Sequence, residues 1–434
     1  MSGPTISSLP NELLIAIAVA GQEDNEAENW ETQSTTWKVE WILSQLSQRF
    51  RDVIVGASEL WALIETDVSG KGSVEILELY LERSRASKIS VTLRESPAFQ
   101  QNWAHQIVPH LDRIKELRIA LRTRRAPGLG LLDPFCDVAA PHLQHFEVAY
   151  ITNEHHLNAP EGVITIFSSG APRLRFLKID GFRLPDTLPL LTASLTHLEL
   201  RTAQYRNPQI DHIVAIAAQC PLLVRLHLDI TFRSIPHNRR FHIPPLKFLH
   251  ISISETGDPD FLSKIIDSFD TPALTELVVD SSHGDQIAHL LSLTSLPRSS
   301  FPALTSLSFA FVRSDSCPCE TDPRLAPNHT ILSPPAIFPA LSHLTLINQC
   351  YTSRLIRDIV GPASEPWPLL KAVTLFVKEP LFAAMRDTID HAVRSKRKRG
   401  QSLPKIQLSR ARSPLGPRNW NSADGETTDG EIFW

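Results

Sequence analysis

Sulfur and tyrosine are scarce in this 434-residue chain, which holds 5 cysteines, 2 methionines and 4 tyrosines. The cysteines, Cys136, Cys220, Cys317, Cys319 and Cys350, are odd in number and show no paired spacing. That argues against a disulfide framework and makes a reducing compartment, cytoplasmic or nuclear, the expectation. In such a compartment the sequon Asn328-His329-Thr330 is idle. Cys317-Pro318-Cys319 has no second pair at zinc spacing, and His155-His156 is no better supported as a ligand set, so no metal is expected. Charge of one sign is lacking too: the formal net charge is only −4, which gives no field to steer the chain to nucleic acid or membrane. The longest unbroken apolar run, Leu13 to Ala20, is too short to span a bilayer and has no basic flank or cleavage site. There is no Gly-rich phosphate loop, no Gly-x-Ser-x-Gly elbow, and no pair of acids that stands apart from the 47 present. The expectation is a non-enzyme with no cofactor, no metal, no nucleic acid and no membrane partner.

Leucine and proline are what the chain does have, and they recur in a phrase, Pro-x-Leu-x-x-Leu-x-Leu. Its first leucine-like position falls at Ile114, Leu143, Leu174, Leu195, Leu223, Leu246, Leu274, Leu304, Leu341 and Leu370, at spacings between 21 and 37 residues. In Pro272-Ala273-Leu274-Thr275-Glu276-Leu277-Val278-Val279, alternation sends Leu274, Leu277 and Val279 one way and Glu276, Val278 and Asp280 the other, as a strand requires. Between strands, Asp211 to Gln219 and Pro259 to Phe269 carry apolar residues at helical spacing: Ile210, Ile213, Val214 and Ala217, then Phe261, Leu262, Ile265 and Ile266. Of the 33 prolines, many stand just before a repeat's first leucine, where a fixed φ and a missing N–H suit the approach to a strand rather than its middle.

A period of this kind built on Leu-x-x-Leu-x-Leu marks a leucine-rich-repeat solenoid, in which each unit hides its apolar edge by stacking on its neighbours. The solenoid is degenerate. Where the consensus places Asn or Cys, the chain has Arg122, Ile151, Phe182, Ala203, Thr231, Ser254, Ser282, Val312, Gln349 and Lys378, so no asparagine ladder forms and the backbone there needs other partners. The fold class expected is α/β: a right-handed leucine-rich-repeat solenoid, a horseshoe with parallel strands on the concave face, over residues 69–408. A small all-α domain precedes it over 1–68, and a tail expected to be disordered follows over 409–434.

On the concave face the third and fifth positions of each phrase point outward. They include Phe176, Lys178, His197, Glu199, Arg225, His227, Phe248 and His250, which mix aromatics, cations and imidazoles and are the candidate target-binding residues. A solvated sheet face without a ligand is the other reading of the same residues.

The amino-terminal region reads as helices. Ser7-Ser8-Leu9-Pro10-Asn11-Glu12-Leu13-Leu14 is a capped helix start with Leu13, Leu14 and Ile17 on one face. An acidic insert over 22–36 follows, and then one helical run from Trp37 to Val55, with Trp41 four residues after Trp37 and with Leu43, Leu46, Phe50 and Ile54 at three- and four-residue intervals.

The ordered set Leu9-Pro10-x-Glu12-Leu13-Leu14, Leu46-Ser47-Gln48-Arg49-Phe50-Arg51-Asp52 and Leu60-Trp61-x-x-Ile64 resembles an F-box, and with the repeats behind it the chain is similar to the fungal F-box proteins with leucine-rich repeats. Leu77 to Ser84 leading to Ile89–Leu93, and Met385 to His391 with a basic turn and Leu403 to Leu408, resemble that family's link and closing segments. The resemblance implies a substrate-recognition subunit of a Skp-cullin-F-box ubiquitin ligase, with a Skp-family adaptor, and through it a cullin, as partners beside an unknown target protein. It assigns adaptor binding to Leu9, Pro10, Leu13, Leu14, Ile17, Arg49, Phe50, Leu60 and Trp61. Without that resemblance the helices read as a cap on the end of the solenoid, and the chain as a leucine-rich-repeat interaction scaffold with no role in ubiquitination. Arg394 to Arg399 reads either as a nuclear import signal or as cations favoured at a helix carboxyl end. The stretch 312–338 reads as a loop inserted between repeats, and Ile432-Phe433-Trp434 as a short docking motif in the tail.

Overall fold

In the computed structural model of the chain the described residues are 9–26, 38–67, 72–95, 103–122, 132–151, 165–182, 193–201, 216–229, 241–253, 260–281, 286, 290, 301–311, 338–347, 369–377, 379–398, 403–410 and 432–433. They form two compact units, Met1–Leu195 and Thr196–Trp434.

The first unit opens with α1 (Asn11–Glu26), α2 (Val39–Leu46) and α3 (Gln48–Gly56), then a 3-10 turn at Ser58–Trp61. Strand β1 (Leu63–Asp67) leads to α4 (Ser73–Arg83), β2 (Ile89–Glu95), α5 (Trp103–Ile107), β3 (Ile114–Arg122), β4 (His145–Ile151) and β5 (Phe176–Asp180). These strands pair in parallel in the order β1-β2-β3-β4-β5. Because β1 pairs with β2 from Leu63↔Ser90 to Asp67↔Arg94, the boundary expected at 68 falls just after the first strand, and the helical head continues into the sheet. Behind the strands the rings of Trp103, Phe135, Phe167 and Phe146 follow one another at 6.1, 6.2 and 5.2 Å. Gly181, after β5, has φ +82°, and a Cβ there would lie 2.7 Å from Tyr150 Cβ, so only glycine fits the turn.

The second unit holds β6 (His197–Arg201), β7 (Arg225–Asp229), β8 (Phe241–His242), β9 (Phe248–Ile253), α6 (Phe261–Ser268), β10 (Phe269–Asp270), β11 (Glu276–Ser281), β12 (Ser306–Phe311), β13 (His343–Ile347), β14 (Ala372–Val377), α7 (Glu379–Lys398), β15 (Lys405–Arg410) and β16 (Ile432–Phe433). The main sheet runs β6-β7-β9-β11-β12-β13-β14-β15 in parallel, and β8 and β10 pair apart from it. Register follows the phrase: Leu226, Leu249, Leu277, Leu307, Leu344, Val373 and Ile406 stand side by side on successive strands. All are buried, and full burial of such a side chain is worth about 1.5–3 kcal/mol.

The prolines do more than open strands. The N–H of Leu143, Leu174, Leu223, Leu246, Leu274, Leu304 and Leu341 bonds the carbonyl three residues back, at 3.0 to 3.2 Å. Proline thus occupies the second position of a β-turn, where its preset φ is favoured. After the turn, the carbonyl of Lys247 receives the N–H groups of both Thr275 and Glu276, and that of Thr275 receives those of Thr305 and Ser306. The hydroxyls of Thr275, Thr305 and Ser342 add bonds of 3.1 to 3.2 Å to the preceding unit, so part of the backbone accounting runs through the start of the strands. Of the positions that replace the asparagine ladder, most lie outside the described residues; Phe182 is buried with its ring 6.1 Å from Tyr150.

The expected helix near 259–269 is α6, with Phe261, Leu262, Ile265 and Ile266 buried. Of the segment near 211–219, Ile216 and Ala217 are described and buried, while Ile210, Ile213 and Val214 lie outside the described residues. The basic stretch is not a turn: Arg394 to Lys398 form the end of α7, whose buried face is Phe382, Met385, Ile389 and Val393. The tail expected to be disordered from 409 holds structure at both described ends. Ser409 and Arg410 complete β15, and Ile432 and Phe433 pair antiparallel with Leu408 and Gln407. In the insert 312–338 only Phe338 is described, buried and 6.4 Å from the Phe301 ring. Among the described residues no helix is long and apolar enough to cross a membrane.

Candidate functional site

Two regions carry the candidate residues. In the head, the single helical run expected from Trp37 to Val55 is broken at Ser47, which is extended at φ −161° and accepts from the Phe50 N–H with its hydroxyl at 3.2 Å. An N-cap of this kind starts a new helix. Trp37 lies outside the described residues, and α1 continues into the acidic insert as far as Glu26. Gln22 Nε2, near the end of α1, donates to Glu40 Oε2 and to the Leu60 carbonyl, both at 2.9 Å. Arg49, past the end of α2, donates to the Leu9 carbonyl at 2.5 Å and to Asn11 Oδ1 at 3.0 Å, at the start of α1. With both ends pinned, α2 runs back along α1.

Glu40 is buried and accepts from the Tyr80 hydroxyl, which itself accepts from Trp41 Nε1 at 2.8 Å. Burial, reinforced by the Glu40 charge and hydrogen bond, holds the Tyr80 hydroxyl far above its ordinary range, so it remains a donor. Trp61 donates to the Ile54 carbonyl at 2.9 Å, meets the Tyr80 ring edge-on at 5.0 Å, and has Arg83 over its ring at 4.3 Å. These contacts correct the sequence assignment. Leu14, Phe50, Leu60 and Trp61 are core residues and cannot meet a partner, because their side chains bind the head together. Leu9 is half-buried, while Pro10, Leu13, Ile17 and Arg49 are exposed. Leu13 and Ile17 on α1 are 51% and 50% exposed, and Ile42 and Leu46 on α2, which the sequence assignment missed, are 45% and 57% exposed. Each pair lies at i, i+4 spacing, the signal that identifies one helix face.

The second region is the sheet face at the third and fifth positions. In the first unit, Phe176 stacks on His145 at 4.1 Å with the rings 1° from parallel, and Lys178 is buried with Nζ 3.7 Å from Glu147. Glu147 also takes His145 Nε2 at 2.6 Å and has Arg118 Nε at 3.9 Å. Burial alone raises the Glu147 carboxyl; the His145 hydrogen bond and the charges of Lys178, His145 and Arg118 outweigh it and leave the carboxyl below its usual range.

In the second unit, register aligns His197, Arg225, Phe248 and Glu276 in one row and Glu199, His227, His250 and Val278 in the next. The Arg225 guanidinium lies 4.0 Å from the Phe248 ring centroid, and the His227 and His250 rings stack at 3.9 Å. Glu199 Oε1 forms an ion pair with Arg201 Nη2 at 2.6 Å, with His227 Nδ1 at 3.6 Å. His250 is buried against Asp280, Nε2 to Oδ2 2.7 Å. Lys178 and His250 keep the expected side of their strands but are covered there rather than exposed, Lys178 against Glu147 and His250 against His227 and Asp280. The alternation goes one step beyond the positions singled out from sequence, to Arg201, Asp229, Ser252 and Asp280. Burial pushes the Asp229 carboxyl up, opposed by Arg201, a Ser252 hydrogen bond and His250, with Asp280 adding to the rise. Polar residues two places past the fifth position were the signal for this row.

Cys220 is buried, its thiol pushed up to about 12, and burial with Asp133 and Asp137 also raises that of Cys136, so neither is poised as a nucleophile. Among the described residues no three His, Cys, Asp or Glu side chains are grouped to hold a metal ion. Cys317, Cys319, Cys350, His155 and His156 lie outside the described residues. No protein-family model matches the chain, and no curated protein matches it.

Proposed function

We propose that the chain is a non-catalytic substrate receptor of a Skp-cullin-F-box ubiquitin ligase: its head holds a Skp-family adaptor, and its strands, read as a leucine-rich-repeat solenoid, hold a target protein on their concave face. The observation that carries the reading is the pair of exposed apolar helix faces, Leu13 and Ile17 on α1 and Ile42 and Leu46 on α2, in a head whose helices are pinned to one another. Covering the remaining half of four such side chains contributes about 1 kcal/mol each, a useful part of a micromolar association of about 8 kcal/mol. Phe176 in the first unit, and His197, Glu199, Arg225, His227 and Phe248 in the second, supply half-buried polar and aromatic side chains for a target, while Lys178 and His250 are buried against Glu147 and Asp280. In this role the protein raises the local concentration of target lysines near a charged conjugating enzyme, and none of its own side chains enters the chemistry.

The test is capture of a purified Skp-family adaptor. Wild type and Leu222→Asp, which alters an exposed leucine elsewhere, should retain the adaptor, and Leu13→Asp with Ile17→Asp should lose at least about tenfold in affinity while circular dichroism stays unchanged. Wild type that never retains the adaptor, or a double variant that still does, overturns the proposal. Trp61→Ala is unsuited to this test, because it removes core packing.

A further inference from the structure

We propose that the outer edge of β15 is a strand-addition site for an extended peptide of another protein, and that β16 is the chain's own removable cover of that site. On one side β15 pairs in parallel with β14 over its whole length, from Ala372↔Lys405 to Val377↔Arg410. On its other side stands β16, Ile432–Phe433, the one antiparallel partner among the described pairings and only two residues long. A sheet edge closed by so short a strand is a template that a longer strand can take over.

Backbone alternation tells what the outer edge offers. The Lys405 N–H bonds the Lys371 carbonyl on β14, so Lys405, Gln407 and Ser409 direct their backbone groups towards β14. Ile406, Leu408 and Arg410 therefore direct theirs to the outer edge, where register sets Ile432 opposite Leu408. That makes Leu408↔Ile432 the pair that exchanges two hydrogen bonds, and Gln407↔Phe433 the pair that exchanges none. Two bonds of ordinary net strength favour the covered edge by only about 5- to 100-fold, so it opens often enough for a competitor to enter. The side chains of β15 define that competitor. Ile406 and Leu408 are buried, so the residue set opposite Leu408 must be apolar, and a β-branched one suits a strand. Lys405 and Arg410, exposed at the two ends of β15, repel basic strands and favour acidic flanks. The chain's own sequence at the cover, Asp429-Gly430-Glu431-Ile432-Phe433, has that composition.

The experiment uses the full-length protein and, as probe, a fluorescent peptide with the sequence of residues 427–434. Ile432→Pro in the protein removes the N–H that bonds the Leu408 carbonyl and should lift the cover. This variant should therefore bind the peptide about 5- to 100-fold tighter than wild type, because wild type presents the open edge for only a fraction of the time. Ile432→Asp, which disfavours the apolar position without touching the backbone, should act in the same direction. A peptide methylated on the backbone nitrogen of its isoleucine should lose binding to every protein, and one with lysine at its aspartate and glutamate should bind more weakly than the parent. Equal affinity of wild type and Ile432→Pro, no binding by either, or undiminished binding of the methylated peptide overturns the inference. Wild-type dimers that the peptide dissolves would assign the edge to the tail of a second copy and overturn it too.

Discussion

Replacing Tyr80 with Phe removes one oxygen and leaves the ring against Trp61. The lost hydroxyl donates to buried Glu40 and accepts from Trp41 Nε1. A hydrogen bond to a charged acceptor is worth about 1.5–3 kcal/mol, and a buried group left short of a partner adds to the loss. Glu40 keeps Gln22, and half-buried Trp41 gains water, so the expected destabilisation is about 2–4 kcal/mol. The effect should be local. Amide exchange should accelerate in α2 and α4, which the network joins, before it does in β11 or β12. Combined with Glu40→Gln in a double-mutant cycle, the coupling should be about 1–3 kcal/mol. Because the Tyr80 hydroxyl is held far above its ordinary range, the coupling should be the same from about pH 6 to about pH 9. A variant within about 0.5 kcal/mol of wild type, or two single changes that simply add, would show that the network does not hold the head.

Adjacent leucines in α1 should behave oppositely: Leu14→Ala should cost about 2–5 kcal/mol in denaturant unfolding, and Leu13→Ser no more than about 0.5 kcal/mol. For Glu147, a carboxyl lowered in the folded state stabilises fully above its unfolded value of about 4.3 and loses that contribution as pH falls through the lower folded value. The stability gap between wild type and Glu147→Gln should thus be full at neutral pH and shrink below about pH 4; a gap that grows on acidification would refute the assignment. Deleting residues 432–434 bares the β15 edge, and light scattering should then show concentration-dependent self-association that wild type lacks.

What could be read from the sequence was periodic. The buried side of each strand follows directly from alternation, as at Leu274, Leu277 and Val279, and α6 follows from its apolar spacing. What could not be read depended on distant partners. Trp61 looks like a surface anchor until its N–H is found on the Ile54 carbonyl and its ring against Tyr80. Leu13 and Leu14 are equivalent by composition, and only the packing of α1 separates exposed from buried. His250 sits at an outward position, yet Asp280 and His227 on adjacent strands enclose it. Ser47 is a different case: its N-cap signal is local, and continuous apolar spacing through Leu46 and Phe50 hid it.

Equal register along the second unit's strands has an evolutionary side. Each strand contributes one residue per row, so exchanging a single side chain rewrites one site of the row while the leucines beneath keep every neighbour in place. Such a surface can change its chemistry by piecemeal substitution, without redesign of the scaffold that carries it.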